Sequence, residues 1–141
     1  MADPGSDDHD AVSAANDRFY AALEADDFEA MSDLWLHDDR VSCTHPGWAR
    51  LRGWGQVGAS WAAIAGGPQH LQFILTDQQI DVAGDMAAVT VDENMVSDAF
   101  SSTAAAVNLF VRTSNGWRMM AHHASPVAPG SPGVGAGEAG A

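Results

Sequence analysis

The sequence lacks residue types and patterns that whole classes of protein require. It contains no lysine, and its six arginines stand against 19 acidic residues, which gives a formal net charge of −13. Because so acidic a chain is repelled by phosphate backbones, we expect no nucleic-acid partner. No apolar run approaches the roughly 18 residues of a membrane span, so we expect no membrane insertion.

Cysteine is almost absent as well. The single Cys43 can form no internal disulfide and has no second thiolate for a metal cage. Its surroundings are apolar, which predicts a buried, unreactive thiol. Residues 1–10 lack the basic start and apolar run of a secretory signal, so the expected location is cytoplasmic. The Gly-x-x-x-x-Gly-Lys phosphate loop, the Gly-x-Ser-x-Gly elbow and the Cys-x-x-Cys pair are also missing from the sequence.

The first half of the chain has helical periodicity. Apolar residues recur three and four positions apart in three segments, which begin near Val12, Phe28 and Trp54. Between the second and third segments, Val41–His45 has the alternation of a short strand, and Pro46-Gly47 ends it.

After Pro68 the period of the apolar residues falls to about two, which is typical of strands. We predict strands over 71–82, 86–96, 105–112 and 117–127, with a tight primed turn at Asn115-Gly116. Helices that precede hairpin-linked strands predict an α+β fold. The predicted organisation is a loose leader at 1–9, one domain at 10–127 and a disordered Gly/Ala/Pro-rich tail at 128–141.

The order and spacing of several short motifs resemble the SnoaL-like branch of the nuclear transport factor 2-like superfamily. The motifs are Asn16-Asp-Arg-Phe-Tyr20, Leu34-Trp35, Cys43-Thr-His-Pro-Gly-Trp48, Gly53-Trp54, Ser60-Trp61, Val89-Thr90, Glu93-Asn94, Val107-Asn108 and His122-His-Ala-Ser-Pro126. The resemblance implies a curved antiparallel sheet that forms a cone closed by three N-terminal helices. It also implies a homodimer through the outer sheet face. Such families contain isomerases, cyclases, dehydratases and non-catalytic domains, so the fold alone does not select a reaction.

His45, Glu93 and His123 are the candidate catalytic residues. His45 ends the first strand, where it is either a general acid–base group at a cavity rim or a structural histidine. In single-base isomerases of the resembled family a carboxylate on the sheet removes a C–H proton, and Glu93 is the candidate for that role. Asp92 competes with it from the opposite face. His122 and His123 also lie on opposite faces, so only one of them can face the cavity.

Trp48, Trp61, Asn108 and His122 are the candidate ligand-binding residues. Tryptophans inside a cone either grip a flat ligand or fill the core, and Trp35 and Trp54 are expected in the core. Asn108 either bonds a buried neighbour or presents its amide to a ligand.

The first hypothesis is a small-molecule enzyme or enzyme-like domain that binds a small apolar or aromatic metabolite and needs neither metal nor organic cofactor. In it, His45 with Glu93 or His123 is the general acid and base for isomerisation, cyclisation or dehydration of a carbonyl-bearing metabolite. A catalytic zinc or non-haem iron site is an alternative, with His45, one of His122 and His123, and Glu93 as the three ligands. The other alternative is a non-catalytic dimeric binding or accessory domain.

Overall fold

The structure, a computed structural model, describes residues 4–68 and 70–131. Its elements are three helices and six strands. In chain order they are α1 (Pro4–Glu24), α2 (Phe28–Leu34), β1 (Ser42–Thr44), β2 (Leu51–Arg52), α3 (Gly53–Ala65), β3 (Gln72–Ala83), β4 (Met86–Val96), β5 (Ser101–Thr113) and β6 (Gly116–Pro126). The α+β prediction is confirmed. No helix in the described ranges has the length and apolarity to cross a membrane.

All six strands form one curved, unclosed sheet in the order β2-β1-β6-β5-β4-β3. Its neighbours are antiparallel except for β1 and β6, which run parallel. The expected antiparallel sheet is therefore mixed. β1 comes from the helical half of the chain and pairs with the edge of β6. Because no hairpin joins these two strands, they are not constrained to run antiparallel.

The N-terminal helix is longer than predicted. Residues 4–9, expected as part of a loose leader, form its first turns. An ion pair between Asp8 and Arg112, with a closest N–O distance of 2.7 Å, links this end of α1 to β5. Residues 1–3 of the predicted leader and 132–141 of the predicted tail lie outside the described residues.

Two local predictions for the strands need correction. Residues 101–103, expected in a connection, belong to β5, where they pair with residues 94–96 of β4. The β5–β6 hairpin exists, but φ is positive only at Gly116 (+98°) and not at Asn115. A primed turn of type I′ needs positive φ at both central residues, so the left-handed glycine instead follows the two-residue turn, as in a G1-type bulge.

The core lies between the helices and the inner face of the sheet. Val12, Ala15 and Phe19 of α1 are completely buried, and their spacing confirms the predicted stripe. On β4 the inward positions 87, 89, 91, 93 and 95 are buried, and the alternate positions are more exposed. Glu93 is the one charged residue in this inward row, so the alternation of the strand places a carboxylate inside the cone.

Candidate active site

A cavity of about 500 Å³ opens between α1, α3 and the inner face of the sheet. Most of its wall is apolar, and three buried titratable side chains, His45, Glu93 and His122, are part of its lining. The remaining lining residues are Leu23, Pro46, Trp48, Trp61, Ile64, Gly67, Pro68, Leu71, Phe73, Met95, Phe100 and Ser102. An apolar cavity with a few converging polar groups is the usual form of a small-molecule site.

His45 lies directly after β1, and its ring is held between two tryptophans. The ring centroid is 4.7 Å from that of Trp48 and 4.6 Å from that of Trp61, both in edge-on geometry. Its Nε2 is 2.8 Å from the Ser60 hydroxyl of α3. Burial lowers the pKa of His45 to about 4, so the ring is neutral at pH 7.

Glu93 is 2 % exposed and has one strong hydrogen-bond donor. The Tyr20 hydroxyl of α1 donates to Glu93 Oε2 over 2.5 Å. Burial raises the pKa of Glu93 to about 7, and the bond from Tyr20 opposes that rise only in part. The carboxyl group is therefore close to half ionised at neutral pH, which is the condition a general base or acid needs.

Behind the cavity wall, buried hydrogen bonds connect Glu93 to His122. The Asn108 amide nitrogen donates to Asn16 Oδ1 (2.9 Å) and to the Tyr20 hydroxyl (3.1 Å). Its Oδ1 lies 2.6 Å from His122 Nδ1. Because Tyr20 donates to Glu93, it must accept from Asn108, and this fixes the orientation of the amide.

The orientation of Asn108 decides the tautomer of His122. An amide oxygen can only accept, so His122 Nδ1 carries the proton and Nε2 has the free lone pair. Burial, followed by repulsion from His45 and His123, lowers the pKa of His122 to about 3, which keeps it neutral. The cavity therefore combines two neutral imidazoles with one carboxyl group that titrates near pH 7.

A family model described as a SnoaL-like domain matches residues 12–129. The chain belongs to the SnoaL-like family. No curated protein matches it significantly. The cone of sheet and helices agrees with the expected architecture of the family, and the resemblance drawn from the short motifs is confirmed.

Two solved structures share more than a third of their residues with this SnoaL-like chain. One, from Streptomyces avermitilis, is described provisionally as a dehydratase of the NTF2-like family; it is 40% identical, with 87% of this chain and 98% of that chain covered and a TM-score of 0.82. Another, from Thiobacillus denitrificans, is described provisionally as a calcium/calmodulin-dependent protein kinase type II association domain. It is 36% identical over 82% of this chain and 94% of that chain, with a TM-score of 0.70.

A more distant structure, a CaMKII hub from S. rosetta, shares the fold of the SnoaL-like chain. It is 20% identical, with 90% of this chain and 99% of that chain covered and a TM-score of 0.72. At this identity the likeness concerns the fold alone.

His123, predicted as a catalytic partner of His45, does not line the cavity of the SnoaL-like domain. Its ring lies on the outer face of the sheet, 3.0 Å from Ser42 Oγ and 2.8 Å from Thr44 Oγ1. The physical reason is a bulge: Leu109 pairs with Ala121, and the next pair is Phe110 with Met119. The extra residue, Met120, shifts the alternation of β6 by one position, so that His122 faces inward.

The predicted ligand-binding residues occupy three kinds of position. Trp61 is buried and lines the cavity, whereas Trp48 is 49% exposed at its rim. Asn108 is completely buried behind the wall, so it holds its neighbours and does not face the cavity. Trp35 and Trp54 pack against each other, with centroids 6.2 Å apart, and lie outside the cavity lining. The cavity is therefore not filled by the helical tryptophans.

The polar residues Tyr20, Asn16 and Ser60 have roles that were not predicted from the sequence. Asn16 and Tyr20 are four residues apart on the buried stripe of α1, and Ser60 adjoins Trp61 on α3. A polar side chain on an apolar helical stripe needs a buried partner, and this signal is present in the sequence.

The structure does not bring together the ligands that the metal alternative requires. In the part of the chain that it describes, no group of three or more His, Cys, Asp or Glu side chains is arranged to hold an ion.

Other depressions on the surface differ from this cavity in their lining. A surface groove of about 650 Å³ beside α1 and α2 is lined by Arg18, Asp33 and Arg118, among others, and contains no buried titratable group.

Proposed function

We propose that this SnoaL-like protein catalyses a cofactor-independent elimination of water from a small, uncharged carbonyl compound, with Glu93 as general base. The observation that carries the proposal is the convergence of Glu93, His45 and His122 on one apolar cavity. The 40% identical relative that is provisionally described as a dehydratase supports elimination over isomerisation or cyclisation. The apolar and aromatic lining favours a compact apolar or aromatic substrate.

The proposed reaction moves one proton within the site. Ionised Glu93 removes the proton on the carbon next to the substrate carbonyl. The electron pair of that bond forms the carbon–carbon double bond as the bond from the β carbon to its hydroxyl oxygen breaks. The departing hydroxide takes the proton from Glu93 and leaves as water, which restores the carboxylate. A carboxyl group with a pKa of about 7 suits both halves of this cycle.

The test uses β-hydroxy ketones, beginning with 4-hydroxy-4-phenylbutan-2-one. Its dehydration gives a conjugated enone that is followed by ultraviolet absorbance. We expect the wild type to accelerate enone formation and Glu93→Gln to lower the rate by about 100-fold or more. Glu29→Gln, on the exposed surface of α2, is the matched control and should behave as wild type. Undiminished turnover in Glu93→Gln would exclude Glu93 as the base.

Self-association is a second proposed property, and the outer face of the sheet is its proposed surface. Ile74, Val96 and Val107 are 60%, 39% and 38% exposed on this face. The 36% identical relative that is provisionally described as an association domain supports self-association. We expect a homodimer by light scattering and its loss in Val107→Arg, but not in Ala59→Arg, which adds the same charge to an exposed site on α3. A monomeric wild type at micromolar concentrations would contradict the proposal.

A further inference from the structure

The hydrogen-bonding character of the cavity follows from the partners of its three titratable groups. Asn108 Oδ1 accepts the hydrogen bond from His122 Nδ1–H, which leaves His122 Nε2 as an acceptor. Nε2 has no hydrogen-bond partner among the described residues. This nitrogen also retains some accessible surface. Among the described residues, the side-chain nitrogens and oxygens that are both fully buried and without a partner are the indole nitrogens of Trp35 and Trp61, and His122 Nε2 is not one of them.

Glu93 likewise keeps one free acceptor. Tyr20 occupies Oε2, while Oε1 has no partner among the described residues and is not fully buried. The ionised carboxylate therefore presents a second acceptor to the cavity.

His45 adds a third acceptor. The Ser60 hydroxyl donates its only proton to the Val57 carbonyl over 2.7 Å, so it must accept from His45 Nε2. The lone pair of His45 is then on Nδ1, where the Cys43 thiol, 3.9 Å away, is a weak donor at most. Both imidazoles of the cavity thus have their N–H donors turned into the protein and an acceptor nitrogen free, and the ionised carboxylate of Glu93 adds an acceptor oxygen.

The donors and cations near the cavity are few. The indole N–H of Trp61 has no accessible surface, and Trp48 and Ser102 stand at the exposed rim. None of the lining residues is an arginine, and Glu93 and the acidic surface repel anions. A carboxylate or phosphate would leave the acceptors unpaired and would face like charge.

We propose that the cavity selects an uncharged ligand that carries a hydroxyl group, and that this hydroxyl donates a hydrogen bond to His122 Nε2. Glu93 Oε1 and His45 Nδ1 are the adjoining acceptors. The inference rests on the proposed function only in taking the cavity as the binding site. In the dehydration, the recognised hydroxyl is the one that leaves.

The test uses protein labelled with ¹⁵N in its histidine rings, because one sample reports both tautomer and binding. We expect neutral rings between pH 6 and pH 8, with the proton on Nδ1 in His122 and on Nε2 in His45. His122→Phe and His45→Gln assign the signals. The opposite tautomer in His122 would overturn the proposal without any ligand, and so would a protonated ring.

Binding is measured on the same signals with three matched probes: 4-ethylphenol, 4-ethylanisole and 4-ethylbenzoate. The phenol should bind at least about tenfold more tightly than its methyl ether, which cannot donate, and than the carboxylate. His122→Phe, which keeps an aromatic ring against Phe19 (4.9 Å between centroids in the wild type), should remove this preference. Equal binding of phenol and ether, tighter binding of the carboxylate, or no binding of the phenol would refute the proposal.

Binding and turnover distinguish the ligand class from the reaction. Phenol selectivity without enone formation would support the ligand class and contradict the dehydration. Enone formation without phenol selectivity would support the dehydration and contradict the ligand class.

Discussion

Replacing Glu93 with glutamine should make the protein more stable above pH 7. The reason is that burial disfavours the charged form of this carboxyl group and raises its pKa from an ordinary 4.5 to about 7. Glutamine has nearly the same shape, and its oxygen can still accept from Tyr20. The substitution therefore removes the charge and preserves most of the packing.

The size and direction of the effect follow from linkage. A carboxyl group whose folded pKa is raised contributes full stability below its unfolded pKa, and that contribution is lost as pH rises through the folded pKa. At 1.36 kcal/mol for each pKa unit, the difference between 4.5 and about 7 corresponds to about 3 kcal/mol. Relative to Glu93→Gln, the wild type should thus lose up to about 3 kcal/mol between pH 4.5 and pH 8.

Urea unfolding at several pH values measures this difference. The free energy of unfolding of wild type and Glu93→Gln is compared at pH 5 and at pH 8, at one protein concentration. Any packing cost of the substitution is common to both pH values and cancels. If the difference in unfolding free energy between the two proteins stays constant from pH 5 to pH 8, the site of Glu93 does not raise its pKa.

Three further predictions concern the neighbours of Glu93. Tyr20→Phe removes the donor that lowers the pKa of Glu93, so this pKa should rise above 7 in a ¹³C carboxyl titration; an unchanged value would contradict the bond. His45 and His122 have lowered pKa values, so their contribution is present above an ordinary 6.5 and is lost as pH falls toward about 4 and about 3; unfolding midpoints in urea should drop over this range, and less so in His45→Gln. Burial, and then repulsion from Glu93, raises the pKa of Cys43 to about 12, so iodoacetamide at pH 8 should modify it only after unfolding; rapid modification of the folded protein would show an accessible thiolate.

Much of the fold could be predicted because its signals are local. The stripe of α1 and the alternation of β4 follow from spacing alone, and the same alternation directs Glu93 inward and Asp92 outward. His45 could be singled out because Pro46 ends a recognisable strand beside it. The parallel pairing of β1 with β6 joins segments about 80 residues apart, and no local pattern reports it.

The sequence could not predict which of His122 and His123 faces the cavity, for a different reason. Met119 is buried on the inner face, and strict alternation from it would turn residue 123 inward. The bulge at Met120 reverses this order for the rest of β6. A bulge depends on how two strands pair, so the periodicity of one strand cannot disclose it. The network through Asn16, Tyr20 and Asn108 depends likewise on how α1 packs against the sheet.

One physical cause gives the three cavity groups different proton affinities. Burial disfavours charge, so it raises the pKa of Glu93 and lowers those of His45 and His122. At neutral pH both imidazoles are far from their pKa values, while Glu93 is close to its own. A proton taken from a substrate in this cavity is therefore most stable on Glu93, and the histidines serve as fixed acceptors. We therefore expect the pH dependence of activity to follow the ionisation of Glu93 and not that of the two histidines. Base activity should rise with pH through a midpoint near pH 7.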